Sequence, residues 1–233
     1  MVTKTILYSI CKNEENRVLY WLDYHKYFDA IFLLDTGSTD STVEKIKSKN
    51  VRVESVPYDR MNFGNAKNTA FKRASQIFGE KDCLYINLDL DEYLDELTFE
   101  KIRNHWTPEY DGIEVVRTTK QVGIDDIQDR IIRIHSGNFN WKWKHVLHEN
   151  LEFDNANLLR VDYSFVHVPD MSRPKNYGKL AEDWIRYFLK EDKSNPEIER
   201  LLNTTLRSIY FKENNIDEDF ILDIAKKRLL ENE

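Results

Sequence analysis

The sequence has few cysteines, little surplus of basic residues and no long apolar run, and each shortage excludes a class of protein. The two cysteines, Cys11 and Cys83, both lie in apolar segments, so a disulfide framework is not indicated and we expect a reducing compartment. The 41 acidic residues outnumber the 34 basic residues, which gives a net charge of −7. This balance does not favour a nucleic-acid partner.

The uninterrupted apolar runs are only a few residues long, whereas a transmembrane helix needs about 20 consecutive apolar residues. The start, MVTKTILYSICKNEE, lacks the apolar centre of a signal peptide. We therefore expect a soluble cytoplasmic protein without a transmembrane segment, and attachment to a membrane surface through a partner stays open. The 233 residues, 41% of them apolar, suit one large domain or one domain with a helical appendage.

Strand-like and helix-like patterns alternate over the first ninety residues, which is typical of a parallel sheet with helices on its faces. In such sheets, ligands bind beyond the carboxyl ends of the strands. A Ser41–Glu44 capping box is expected at the start of the second helix. The strands are predicted over 5–11, 30–35, 51–56 and 83–89, and the helices over 15–28, from 41 onward and over 65–78.

Short strands and turns follow from about residue 110, and the chain becomes helical from Asn176 onward. Strands are predicted over 112–119, 129–136, 140–153 and 161–169, and helices in the final part include one near 217–230. We expect one domain over 1–170 and a helical extension over 171–233. Because the apolar stripes of the extension are wide, we expect them to pack on the first domain.

Acidic residues follow the predicted strand in the segment YINLDLDEYL. Asp89 and Asp91 are separated by one residue, and paired carboxylates suit Mg²⁺ or Mn²⁺ when phosphates supply the remaining ligands. A solvated acidic loop is the alternative. An EF-hand is excluded, because Tyr93 and Leu94 stand where a ligand and a glycine are needed.

Two further segments carry candidate ligands for a nucleotide. Asp35 ends a predicted strand and could accept hydrogen bonds from a base or ribose, or it could belong to a plain turn. Lys67 lies in the first turn of a predicted helix, where a cation beside free backbone N–H groups can hold a diphosphate. The alternative for Lys67 is an ordinary surface lysine.

The segment WKWKHVLHENL is unusual in composition. Trp141 and Trp143 could form an apolar platform for a sugar ring, or they could be core residues. Glu149 is a candidate general base, and His148 could orient it or contact phosphate. His167 near a strand end is either structural or a ligand that completes a metal site.

Five segments together resemble the family 2 glycosyltransferases over roughly residues 3 to 170: SICKNEE, LLDTGSTDST, FGNAKNTAF, INLDLDEYL and LHENL, in this order. These are inverting, nucleotide-sugar-dependent enzymes with an α/β fold of the GT-A type, in which helices flank a mixed, mostly parallel central sheet. LHENL followed by FVHVP and RPKNYGKLAEDW is similar to a bacterial and viral branch with helices after the catalytic domain.

The resemblance implies a role for each motif. The CKNEE loop, with Cys11, Asn13 and Glu14, would bind the nucleotide together with Asp35. In this chain Thr36 follows Asp35, whereas the more common pattern has two adjacent acids there. The other implied roles are the diphosphate for Lys67, the ribose or sugar side for Asp89, the metal for Asp91 and His167, and the proton transfer for Glu149.

The sequence thus predicts a metal-dependent, inverting glycosyltransferase that uses Mn²⁺ or Mg²⁺. Its donor would be a nucleoside diphosphate sugar, UDP-linked by family habit, and its acceptor a glycan, a lipid-linked glycan or a peptide. A sugar nucleotidyltransferase is the first alternative, and it is disfavoured because CKNEE stands where a glycine-rich phosphate loop would follow the first strand. The second is a non-catalytic carbohydrate-binding protein that uses a surface formed by Trp141 and Trp143.

Overall fold

The computed structural model describes residues 4–58, 61–120, 125–138, 140–169, 177–191 and 195–205. The chain divides into two compact units, Met1–Ser172 and Arg173–Glu233. The predicted packing of the extension on the first domain stays a prediction, and the predicted helix near 217–230 lies outside the described residues. Among the described residues, no helix is both long enough and apolar enough to cross a membrane.

Strands and helices alternate through the first part of the chain, as the sequence predicts. These elements are β1 (Lys4–Cys11), α1 (Val18–Tyr24), β2 (Ala30–Asp35), α2 (Thr42–Ser48), β3 (Arg52–Ser55), α3 (Phe63–Phe78) and β4 (Cys83–Asn87). The elements that follow are β5 (Glu92–Tyr93), α4 (Glu96–His105), β6 (Gly112–Thr119), β7 (Ile127–Ser136), β8 (Lys142–Lys144), β9 (Asn150–Glu152), β10 (Leu158–His167), α5 (Tyr177–Glu191) and α6 (Pro196–Thr205).

Eight strands form one mixed sheet in the order β3-β2-β1-β4-β7-β6-β10-β5. The first four strands in this order are parallel, and β7 runs antiparallel to both of its neighbours. Cys11 at the end of β1 pairs with Asp35 at the end of β2. The predicted α/β sheet is therefore confirmed, and it places the carboxyl ends of β1, β2 and β4 at one edge.

Side chains alternate between two apolar layers along the central strands, because successive residues of a strand face opposite sides of the sheet. In β1, Leu7 packs in one layer with Leu33 and Leu84, whereas Ile6 and Tyr8 pack in the other layer. The second layer includes Ala70 and Ala74 of α3. Their small side chains let this helix lie close to the sheet, which brings its first turn to the carboxyl edge.

The predicted Ser41–Glu44 capping box is wrong. Ser41 precedes α2 but makes no side-chain cap bond, because its hydroxyl donates to the Glu15 carboxylate instead. Asp40 accepts from the Thr42 backbone N–H at 3.0 Å and from the Glu15 N–H at 3.3 Å. The two bonds that involve Glu15 tie the loop after β1 to the loop after β2.

The single strand predicted over 140–153 is also wrong. Two short strands stand there, β8 and β9, and they pair with Trp143 opposite Leu151. Between them, His145 and His148 have φ angles of 75° and 51°, which break the extended backbone. The carbonyl of His145 accepts the Gly64 N–H at 3.1 Å, a contact with α3 that the local sequence pattern does not contain.

Candidate active site

A tight turn follows β4 and carries the acidic run. The Glu92 backbone N–H donates to the Asp89 carbonyl at 2.9 Å, and the Glu92 side chain accepts the Asp89 N–H at 2.9 Å. The Trp21 indole N–H donates to the carbonyls of Asp89 and Glu92, both at 3.1 Å. The turn is therefore fixed from inside by Glu92 and from α1 by Trp21.

His25 holds the far end of the same turn. Its Nε2 accepts the Leu94 N–H at 3.3 Å, and its Nδ1 lies 2.9 Å from the Trp21 carbonyl. Burial lowers the pKa of His25 to about 4, so the imidazole is neutral near pH 7, with its proton on Nδ1. A neutral ring is what the Leu94 contact requires, because a charged imidazole cannot accept a hydrogen bond.

Five buried or half-buried ionic side chains meet beneath the turn, and we call them the buried charge cluster: Lys67, Asp89, Glu92, Arg133 and Glu149. The Lys67 ammonium lies 2.9 Å from Asp89 and 2.7 Å from Glu149, and 4.7 Å from the centre of a Trp143 ring. The Arg133 guanidinium lies 2.8 Å from Glu92 and 3.3 Å from Asp89.

The cluster moves the pKa values of Asp89 and Glu92 in opposite directions. Burial raises the pKa of the Asp89 carboxyl, but the charges of Lys67 and Arg133 outweigh this and hold it well below its usual range. Burial also raises the pKa of Glu92, and the Arg133 charge does not fully offset it. Asp89 is thus a firmly charged carboxylate.

The structure revises both sequence interpretations of Lys67. Its side chain is buried, with 0% of the residue exposed, so it is not a surface lysine. The backbone N–H groups beside it are also taken, because Phe63 donates to the Val146 carbonyl at 3.0 Å and Asn65 to the Asn62 side chain at 2.8 Å. The expected anion site at the free N-terminus of α3 is therefore wrong, and the cation is held by carboxylates.

The aromatic platform for a sugar ring is wrong as well. Trp143 is only 2% exposed and Trp141 only 5%. The Trp143 indole N–H donates to the Tyr8 hydroxyl at 2.9 Å, and that of Trp141 to the Ser136 carbonyl at 3.0 Å. Both are core residues, and the Trp143 ring lies against the Lys67 ammonium.

Asp91 and His167, the predicted metal ligands, lie side by side. Their Oδ2 and Nε2 atoms are 3.6 Å apart, because β5 pairs with β10 and the Asp91 carbonyl accepts the Val168 N–H at 2.8 Å. The Thr119 hydroxyl lies 3.1 Å from Nδ1 of His167, which leaves Nε2 directed toward the carboxylate. A second contact of this kind typically fixes the orientation of a metal-binding histidine.

These two side chains fit a divalent cation that takes its other ligands from phosphate and water, as Mg²⁺ commonly does. In the part of the chain that the structure describes, no group of three or more His, Cys, Asp or Glu side chains could hold a metal.

The loops after β1 and β2, which the sequence predicts to bind the nucleotide, bond to one another. The Asn13 side chain accepts the Thr39 N–H at 2.8 Å, and the Glu14 N–H donates to the Thr42 hydroxyl at 2.7 Å. Asp35 is buried and accepts the Ser38 N–H at 3.0 Å. Cys11 contributes its carbonyl, which accepts the Thr36 N–H at 2.9 Å, while burial raises the pKa of its thiol.

His148 and Glu149 are the last two residues of the loop between β8 and β9. His148 is exposed with a φ of 51°, and the Glu149 side chain is 13% exposed and paired with Lys67. The sequence reading missed Arg133 and Glu92. The available signal for Arg133 was a lone arginine in the apolar run IIRI, since a charged residue in a buried strand needs a partner.

The sequence and the fold resemble those of known proteins. Residues 7–171 match the family described as glycosyl transferase family 2. No curated protein matches the sequence significantly. Among solved structures, S. aureus TarS (residues 1–349) is 15% identical, with 95% of this chain and 79% of that chain covered and a TM-score of 0.52, which shows a shared fold.

Glucosyl-3-phosphoglycerate synthase from Mycobacterium tuberculosis, solved with Mn²⁺ and UDP-glucose, is 19% identical, with a TM-score of 0.39. The match covers 49% of this chain and 43% of that synthase, so the chain spans less than half of its length. Since the family match extends over most of the first unit, the chain belongs to glycosyl transferase family 2.

Proposed function

We propose that this protein is a metal-dependent, inverting glycosyltransferase that moves a sugar from a nucleoside diphosphate sugar, UDP-linked, to an acceptor hydroxyl. The observation that carries the proposal is the turn after β4. It directs Asp91 toward His167 and Asp89 toward Lys67 and Arg133. Both carboxylates lie beyond the carboxyl end of β4, where α/β sheets bind ligands.

Asp91 and His167 would hold Mn²⁺ or Mg²⁺. When bound, the metal would neutralise the charge that develops on the departing diphosphate. Cys11, Asn13, Glu14 and Asp35 would form the nucleotide pocket, because the loops after β1 and β2 are tied to one another there. Asp89 would contact the ribose or the sugar.

Glu149 would take the proton of the acceptor hydroxyl. The acceptor oxygen then bonds to the anomeric carbon, the bond to the diphosphate oxygen breaks, and its electron pair leaves with the nucleoside diphosphate. Lys67 holds Glu149 at 2.7 Å and Asp89 at 2.9 Å, so it spans the proposed base and the donor side. His148, exposed beside Glu149, would orient the acceptor, a glycan, lipid-linked glycan or peptide.

The alternatives receive less support. A carbohydrate-binding protein that uses Trp141 and Trp143 has no such surface, because both side chains are buried. A nucleotidyltransferase would hold a nucleoside triphosphate, and the loop after β1 offers no glycine-rich turn.

A thermal-shift screen of UDP, GDP and ADP, each with Mn²⁺ or with EDTA, tests the proposal. We expect stabilisation by UDP with Mn²⁺ and none with EDTA, since only a ligand that binds the folded state raises the melting temperature. Stabilisation by a nucleoside triphosphate with a sugar phosphate would favour the nucleotidyltransferase. Stabilisation by oligosaccharides without nucleotide would favour the carbohydrate-binding protein.

A further inference from the structure

Arg133 is a buried cation that none of the motif segments contains. It lies in β7, is 3% exposed, and reaches three side chains of β4 and its turn. Its guanidinium nitrogens lie 3.3 Å from Asn87 Oδ1, 3.3 Å from Asp89 Oδ2 and 2.8 Å from Glu92 Oε1. One planar group thus joins the end of β4 to both ends of the turn.

The two cations of the buried charge cluster divide Asp89 between them. Lys67 contacts Oδ1 and Arg133 contacts Oδ2, so the carboxylate is held from two directions. The Asp89 side chain is nevertheless 33% exposed. Its accessible side is available to a ligand, while Arg133 lies behind it and is too buried to touch one.

We propose that Arg133 is the positioning residue of the donor site, which fixes Asp89 and the turn that carries Asp91. This inference rests on the proposed function. A rigid, forked guanidinium can meet two carboxylates and an amide at once, which an ammonium cannot do from one position. Supporting side chains that orient a binding group typically contribute 10–100-fold to affinity or activity.

A purely structural role for Arg133 would be to neutralise the buried charge of Glu92. The double variant Arg133→Met/Glu92→Gln separates the two roles. It removes both charges together, so no unpaired buried charge remains, and the glutamine oxygen can still accept the Asp89 N–H. The contacts of the guanidinium with Asp89 and Asn87 are lost, together with its weaker contact with the Trp143 ring at 5.6 Å and the approach of Arg117 to the Glu92 carboxylate at 3.8 Å.

The measurement is the affinity for UDP with Mn²⁺ by isothermal titration, together with KM and kcat for the UDP-sugar that the wild type uses. We expect the double variant to fold and to bind UDP with Mn²⁺ about 10–100-fold more weakly, with a larger change in KM than in kcat. Arg133→Lys should bind UDP with Mn²⁺ more tightly than the double variant does, but more weakly than the wild type. Arg130→Met is the matched control, because Arg130 is on the same strand but pairs with the exposed Asp162.

Wild-type affinity and KM in the double variant would overturn the positioning role and leave the proposed function intact. If the double variant does not fold, Arg133→Lys decides, and full wild-type affinity there would overturn the role as well. A wild-type protein that binds no UDP with Mn²⁺ would overturn the proposed function and this inference with it.

Discussion

Asp89 and Asp91 are separated by one residue, but they lie in different surroundings. Asp89 is 2.9 Å from the Lys67 ammonium and 3.3 Å from the Arg133 guanidinium. Asp91 lies 3.6 Å from the imidazole of His167. The protein thus neutralises the first acid with its own fixed cations and sets the second beside a side chain that commonly binds metals.

Because their surroundings differ, the two aspartates of the acidic run belong to two separate sites rather than to one. In an extended strand, residues two apart would face the same side, and the two aspartates would compete for one cation. Because β4 ends at Asn87 and the chain turns at once, the carboxylates separate. Asp89 is held by two cations of the protein and keeps 33% of its side chain exposed. Asp91, 14% exposed, lies beside His167, where a substrate-borne metal could bind.

The variant Asp91→Asn tests the carboxylate beside His167 and carries the largest expected effect. We expect the loss of Mn²⁺-dependent UDP binding and a fall in turnover of roughly 10⁴-fold, since a bound metal supplies several kcal/mol of charge stabilisation. The matched control is Asp95→Asn, because Asp95 only caps α4 by accepting the Thr98 N–H and asparagine caps equally well. Unchanged metal-dependent titration in Asp91→Asn would place the metal elsewhere.

The variant Glu149→Gln tests whether the buried charge cluster takes part in the reaction. We expect turnover to fall by about 10²–10⁴-fold with donor affinity nearly intact, because a general base acts in the transition state. Transfer and donor hydrolysis are measured side by side, with Glu152→Gln on β9 as the control. Transfer at close to the wild-type rate would exclude Glu149 as the base and point to His148.

The variant Trp143→Ala tests what supports the buried charge cluster. We expect the free energy of unfolding to fall by about 3–5 kcal/mol, the usual cost of emptying a buried aromatic site, in urea denaturation. Trp143→Phe keeps most of the packing and loses the bond to Tyr8, so about 1 kcal/mol is expected. Full stability with weakened sugar binding would restore the platform interpretation.

The pH dependence of stability tests the His25 side of the turn. Because the folded-state pKa of His25 is about 4 against an ordinary value of 6.5, the unfolded chain binds the proton first as the pH falls. Stability is therefore complete above pH 6.5 and declines toward pH 4, by about 3 kcal/mol from this residue. His135 has the same shift and acts in the same direction.

Urea denaturation from pH 7 to pH 4.5 measures this decline, and His25→Asn should reduce it. The comparison between variant and wild type isolates His25, because Glu92, whose pKa is raised, acts in the opposite direction in both proteins. The exposed His105 provides the control substitution, His105→Asn. An identical decline in His25→Asn would show that the imidazole is not neutral in the folded protein.

The pattern of apolar and turn residues along the chain predicted those strands that form from a short apolar run. The strands β2 and β6 have the bounds that the sequence indicated, 30–35 and 112–119, because a short apolar run between turn residues has few other structures to adopt. The prediction was wrong for 140–153 and for the start of α3. There, carbonyls of His145 and Val146 bond to backbone N–H groups of Gly64 and Phe63, about 80 residues away along the chain.

The sequence by itself determined the order of strands and helices and the position of Asp35, Asp89 and Asp91 after strand ends, since these follow from periodicity and chain direction. Only the tertiary structure decided what each acid faces. Arg133 reaches Asp89 across 44 residues of chain, and Lys67 joins Asp89 to Glu149 because α3 packs between the sheet and the β8–β9 hairpin. Burial of charge requires partners, and partners from distant segments meet only when the sheet has formed.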